Sequence, residues 1–152
     1  MKYDRCVKEQ LVPLGWRHDA DRAVLRVRGC EQGVITGLDH VQLALPAGGE
    51  EEARAFYGTL LGLPEVEKPE PLRSRGGVWF AGPGFGLHLG VETPFAPAKK
   101  AHPAFRVAGL EALSERLDGA EVEVVWDTAL PSVRRFYAAD PFGNRLEFLD
   151  DS

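Results

Sequence analysis

Of the four histidines in this 152-residue chain, three stand in short apolar runs of alternating character: His40 within 38–45, His88 within 86–91 and His102 at the start of 102–107. A carboxylate, Glu147, stands in a fourth such run, 145–149. Imidazole nitrogens and a carboxylate oxygen are borderline-hard donors that suit one divalent ion, whether zinc, nickel, iron(II), cobalt or manganese. Three histidines with one carboxylate leave coordination positions for water or substrate. The remaining histidine, His18, has no strand around it and reads as a surface residue.

The elements that must position these groups follow from hydrophobic period and punctuation. A β-like run over 38–45 is ended by Pro46, Gly48 and Gly49. Glu50, Glu51 and Glu52 place negative charge where a helix N-terminus favours it, and Ala53, Phe56, Tyr57, Leu60 and Leu61 recur at helical spacing until Gly62 and Pro64. Three short strands are expected at about 65–68, 77–81 and 86–91. After a loop holding Pro94 and Pro97 the order restarts. A strand over 102–107 leads to a helix marked by Leu110, Leu113 and Leu117 and stopped by Gly119. Strands at 121–126, 133–138 and 145–149 follow, the last two joined by Asp140-Pro141-Phe142-Gly143-Asn144. The fold class is therefore α+β, with two tandem βαβββ modules at about 37–93 and 101–151 inside one domain, 37–151. Two four-stranded sheets of this kind, each backed by a helix, curl around a cleft lined by the faces opposite the helices.

Alternation then sorts the side chains. His40 shares its face with Gln42 and Ala44, while Val41, Leu43 and Leu45 turn toward the helix. His88 lies between Gly86 and Gly90, which removes bulk around it, and Glu147 alternates with Leu146 and Phe148. By position in the repeat His40 matches His102, and His88 matches Glu147, so a single metal in the cleft draws two ligands from each module. Gln42, Arg106 and Tyr137 are the candidate substrate contacts. Arg106 falls on the His102 face, where it either grips an anionic group in a bidentate contact or pairs with an acid at the cleft edge. Trp79, Phe80, Trp126 and Phe136 read as core rather than pocket wall, and Lys99-Lys100 as a solvated hinge between the halves.

The totals bound the partners. Apolar residues at 44% and charged residues at 27% are ordinary globular usage, against disorder or a fibrous protein. Residues 1–37 carry 7 Lys+Arg against 5 Asp+Glu, leaving 11 against 18 for the rest of a chain whose net charge is -5. An acidic body repels a phosphate backbone, which argues against nucleic acid and for a small-molecule substrate. No apolar run reaches the ~20 residues of a membrane span and no secretory signal opens the chain, so a cytoplasmic location is expected and no membrane partner. Cys6 and Cys30 have neither zinc nor redox spacing and are expected as free thiols. Residues 1–36 are a weakly patterned N-terminal extension in which only Val24 to Val27 hints at a strand.

As a set, four blocks resemble the conserved motifs of the glyoxalase/bleomycin-resistance/dioxygenase, or vicinal oxygen chelate, superfamily. They are Asp39-His40-Val41, His88-Leu89-Gly90-Val91-Glu92, His102-Pro103-Ala104-Phe105 and Asp140-Pro141-Phe142-Gly143-Asn144-Arg145-Leu146-Glu147-Phe148. The resemblance spans about residues 37–150 and implies metal ligation by His40, His88, His102 and Glu147. It implies a metal that chelates neighbouring oxygens of a small substrate in lyase or isomerase-type chemistry, with Glu147 able to act as general base. It also implies a homodimer, because in many members two chains exchange halves. His88 departs from glyoxalase I and methylmalonyl-CoA epimerases, which usually carry Glu or Gln there, and this argues against methylglyoxal detoxification. The other readings are an extradiol-type dioxygenase and a non-catalytic protein that sequesters a drug or metabolite.

Overall fold

Alternating strands with one apolar face need a partner layer, and in each module a helical segment supplies it. The computed structural model describes residue 35 and residues 37–151; the expectations placed on Cys6, His18, Val24 to Val27 and Cys30 lie outside the described residues. The first module runs β1 (His40–Leu45), α1 (Glu50–Ala53), β2 (Glu65–Val66), α2 (Glu70–Arg73), β3 (Val78–Gly82) and β4 (Phe85–Val91). The second runs β5 (Ala104–Val107), α3 (Leu110–Gly119), β6 (Val125–Asp127), β7 (Arg135–Ala139) and β8 (Arg145–Asp150). Each builds a four-stranded mixed sheet, in the orders β1-β4-β3-β2 and β5-β8-β7-β6, with β1 parallel to β4 and β5 parallel to β8. This is the two-module α+β fold anticipated from the repeat, and neither sheet closes into a barrel.

The apolar faces make one core. Leu43, Leu45, Phe80, Leu87 and Leu89 of the first module and Phe136, Ala138, Leu146 and Phe148 of the second belong to it, with Phe56 and Tyr57 packed in from the segment after α1. Phe85 meets Phe105 across the modules with ring centroids 5.7 Å apart. Burying each such ring or leucine is worth about 1.5–3 kcal/mol. The interior also holds a polar knot. Asp140 accepts hydrogen bonds from the Tyr57 hydroxyl at 2.7 Å and from Asn144 Nδ2 at 2.8 Å, and Asn144 Nδ2 reaches the Ala44 carbonyl at 2.8 Å. The turn between β7 and β8 is thereby tied to β1, and burial raises the Tyr57 hydroxyl well above its ordinary pKa.

Several boundaries differ from the sequence reading for local reasons. The first helix is α-helical only over α1 and continues as a π-helix over Arg54–Leu60. Its wider turns bring the consecutive residues Phe56 and Tyr57 both inward, edge to face at 5.0 Å. The strand expected at 121–126 begins only at Val125, because Glu121 (φ 60°) sits in the turn that closes α3. Between the second and third expected strands, Pro69 and Pro71 start the short α2, where a first-turn proline forfeits no helical hydrogen bond. The strand holding His102 starts at Ala104, since Pro103 has no N–H to offer the ladder, but the Pro103 carbonyl still accepts from Glu147 N–H at 3.1 Å.

Candidate metal centre

In the first module, His40 opens β1 and His88 is the middle residue of β4. Parallel register sets Gln42 opposite His88 and His40 opposite Gly86, so the two imidazoles meet across the diagonal. Their rings stack with centroids 4.2 Å apart, and Trp79, opposite His88 on β3, covers the other side of that ring at 3.8 Å. Gly86 makes the room: a Cβ there would lie 3.1 Å from His40 Cβ and 3.2 Å from His88 Nε2. Asp39 accepts a hydrogen bond from His40 Nδ1 at 2.7 Å. A carboxylate only accepts, so Nδ1 carries a proton, and in the neutral ring Nε2 keeps its lone pair, the usual preparation of a ligand histidine. Burial, and after it the neighbouring His40, lower the His88 pKa and favour its neutral form.

The second module repeats this register. Ala104 stands opposite Glu147, and His102 lies two residues before Ala104 as His40 lies two before Gln42. Tyr137 faces Glu147 across β7 and β8 as Trp79 faces His88. His102 Nδ1 donates to the Lys100 carbonyl at 2.7 Å, so the backbone just before the ring orients it. In a neutral ring His102 Nε2 is then left as a lone pair, and it lies only 2.9 Å from Glu147 Oε2. Two acceptors at that distance need positive charge between them, either a shared proton or a metal ion. The other oxygen, Glu147 Oε1, accepts from Arg135 Nη1 at 3.0 Å. Arg135 is itself held by Asp127 Oδ2 at 2.6 Å through Nη2 and 3.0 Å through Nε. The Ala129 N–H, with Arg135, holds the Asp127 carboxyl below the ordinary carboxylate range.

The four expected ligands thus come together as two pairs, one on each sheet. Among the described residues no group of three or more His, Cys, Asp and Glu side chains is gathered to hold a metal ion. The pairs differ in enclosure: the Glu147 side chain is 9% exposed and His102 20%, whereas His40 is 43% exposed. Each pair offers two donors of the right chemistry, so the residues fit half of a divalent coordination sphere apiece. Of the candidate substrate contacts, Tyr137 packs edge-on to His102 at 5.7 Å, Gln42 lies opposite His88, and exposed Arg106 faces Asp151 at 3.8 Å.

Sequence reasoning assigned Trp79 and Trp126 to the core, but Trp79 stacks on His88 and Trp126 is 43% exposed, while Phe80 and Phe136 are core as expected. It passed over Arg135, Asp127 and Arg145. Counting by twos from Tyr137 along β7 and from Glu147 along β8 places Arg135 and Arg145 on the site face. Asp127 carries no such signal, because it enters only through its pairing with Arg135.

The sequence model of the Glyoxalase/Bleomycin resistance protein/Dioxygenase superfamily matches residues 37–148. The chain belongs to this superfamily. Among solved structures, this superfamily member is similar to a glyoxalase family protein from Bacillus anthracis, with 50% identity, a TM-score of 0.77 and coverage of 80% of this chain and 100% of that one. It shares its fold with a lactoylglutathione lyase from Agrobacterium tumefaciens (20% identity, TM-score 0.61, 78% and 96% covered). The same holds for a genomically encoded fosfomycin resistance protein from Listeria monocytogenes (17% identity, TM-score 0.63, 78% and 95% covered). No curated protein matches the chain. Among the described residues no helix is long and apolar enough to cross a membrane.

Proposed function

We propose that this glyoxalase-superfamily member is a metal-dependent enzyme of lyase or isomerase type that acts on a small molecule presenting two neighbouring oxygens. The ligands are His40, His88, His102 and Glu147. The observation that carries this reading is the 2.9 Å approach of two acceptors, His102 Nε2 and Glu147 Oε2, with the register of that pair repeated by His40 and His88 in the other sheet. A divalent ion bound there supplies Lewis acidity to the substrate oxygens. Because each sheet holds only two of the four ligands, the site is completed by a second copy of the chain, His40 and His88 of one protomer meeting His102 and Glu147 of its partner. On loosening from the ion, Glu147 Oε2 would take and return the proton that moves in the reaction, while Arg135 keeps Oε1 occupied and the carboxylate in one orientation. Gln42, Arg106 and Tyr137 line the substrate.

Elemental analysis of the purified protein beside His40→Ala and Glu147→Ala tests the reading. The expected result is about one transition metal per chain, lost in both variants. Absence of metal after reconstitution, with small-molecule binding indifferent to chelation, would overturn it in favour of a sequestering protein of bleomycin-resistance type. Activity confined to iron(II) with ring opening of catechols would replace it by the dioxygenase reading.

A further inference from the structure

Three arginines share the open face of the second sheet in an otherwise acidic body. Arg106 on β5, Arg135 on β7 and Arg145 on β8 alternate with buried or half-buried Phe105, Phe136 and Leu146, and so stand on the side of Glu147 and His102. Two of them have acidic partners: Arg135 is engaged by Asp127 and Glu147, and Arg106 faces Asp151. Among the described residues, Arg145 has no carboxylate within 4.0 Å. Its guanidinium carbon lies 3.9 Å from the centroid of the Tyr137 ring, and that of Arg135 lies 5.6 Å from the same ring. Two cations share one aromatic ring, and only one of them is neutralised. Nor does the fold require the second. The first module builds the same strand pair with Gly86 two residues before His88, where Arg145 stands two residues before Glu147.

We infer that Arg145, carried on Tyr137, is the anion-binding group of this face, and that the substrate bears a carboxylate or phosphonate oxyanion beside its chelating oxygens. A guanidinium offers a fork of N–H donors that matches such an oxyanion in a bidentate contact, and stacking on an aromatic ring holds the fork in place. Arg145 is better suited than Arg106, which is exposed and already faces an acid. The inference rests on reading the His102–Glu147 face as the site.

The test is nitrogen-15 NMR of the Arg145 Nε–H signal in the full-length protein, before and after EDTA treatment. It is titrated with malonate, phosphonoacetate and neutral malonamide at constant ionic strength. Saturable shifts are expected with either anion and not with malonamide, the larger affinity identifying carboxylate or phosphonate. Arg145→Gln should weaken anion binding by about tenfold or more, Arg145→Lys by less, and Arg116→Gln, on α3 away from this face, by no more than about twofold. Equal responses to malonate and malonamide, or unchanged affinity in Arg145→Gln with native circular dichroism, would overturn the proposal. Should Arg145→Gln misfold, Arg145→Lys and the wild-type contrast between malonate and malonamide decide. Failure here in a protein that holds its metal removes only the anion assignment; anion binding in a protein that takes up no metal removes only the metal reading.

Discussion

Glu147 is a carboxylate with divided duties, one oxygen toward His102 and the other fixed by Arg135, which Asp127 holds in turn. A group that orients a ligand typically governs metal affinity by about 10–100-fold. Arg135→Leu is therefore expected to loosen metal binding by about that factor, read by competition with a chromogenic chelator, with Arg135→Lys recovering part of it. A second polar group acts on stability. Tyr57→Phe removes one of the donors to buried Asp140 and is expected to lower stability by about 1–3 kcal/mol in urea unfolding, with metal content unchanged. At this scale the ligand histidines and Glu147 were legible because their types are scarce and their neighbours alternate. Asp127 was not, because its meaning lies in a partner eight residues away on the adjacent strand.

The strands deliver these groups by register, and glycines decide how closely they pack. Gly86→Ala would press a methyl group against His40 Cβ and His88 Nε2. The variant is expected to keep its fold and lose metal affinity, so that isothermal titration with zinc and the thermal midpoint respond differently. Gly77 is a different case: its φ of +79° and the Leu89 carbonyl 2.2 Å from any Cβ make it irreplaceable for β3 to begin. Its N–H donates to Glu50 Oε1 at 2.7 Å, joining the first turn of α1 to that strand entry, and this bond lowers the Glu50 pKa. A carboxyl that titrates lower when folded than its unfolded value of ~4.3 adds stability above that pH and loses it as pH falls through the folded value. Glu50→Gln should therefore cost about 1 kcal/mol at neutral pH, and its urea midpoint should converge on that of the wild type in acid. Element order was readable from periodicity, whereas the π-helical turns and the late start of β6 were not. Both depend on what Phe56, Tyr57 and Glu121 meet in the folded chain.

For the whole molecule, the question is where the two half-sites meet. If His40 and His88 of one protomer join His102 and Glu147 of its partner, damage to different halves is complementary. A heterodimer of a His40→Ala/His88→Ala chain with a His102→Ala/Glu147→Ala chain, purified through two different tags, keeps one intact site. It should bind about one metal against about two for the wild-type dimer, while each variant homodimer binds none. A heterodimer without metal would place each site within a single chain. The sequence by itself determined the duplication, the face on which each candidate ligand stands and the superfamily. Alternation along a strand and the spacing of motifs are local properties, set by a few neighbouring residues. Only the tertiary structure decided that the ligands gather as two pairs on separate sheets, that Trp79 leaves the core for His88, and that Arg135 and Arg145 flank Glu147. Such facts depend on strand register and on how one sheet packs against another, and these are settled by contacts between residues far apart in the chain.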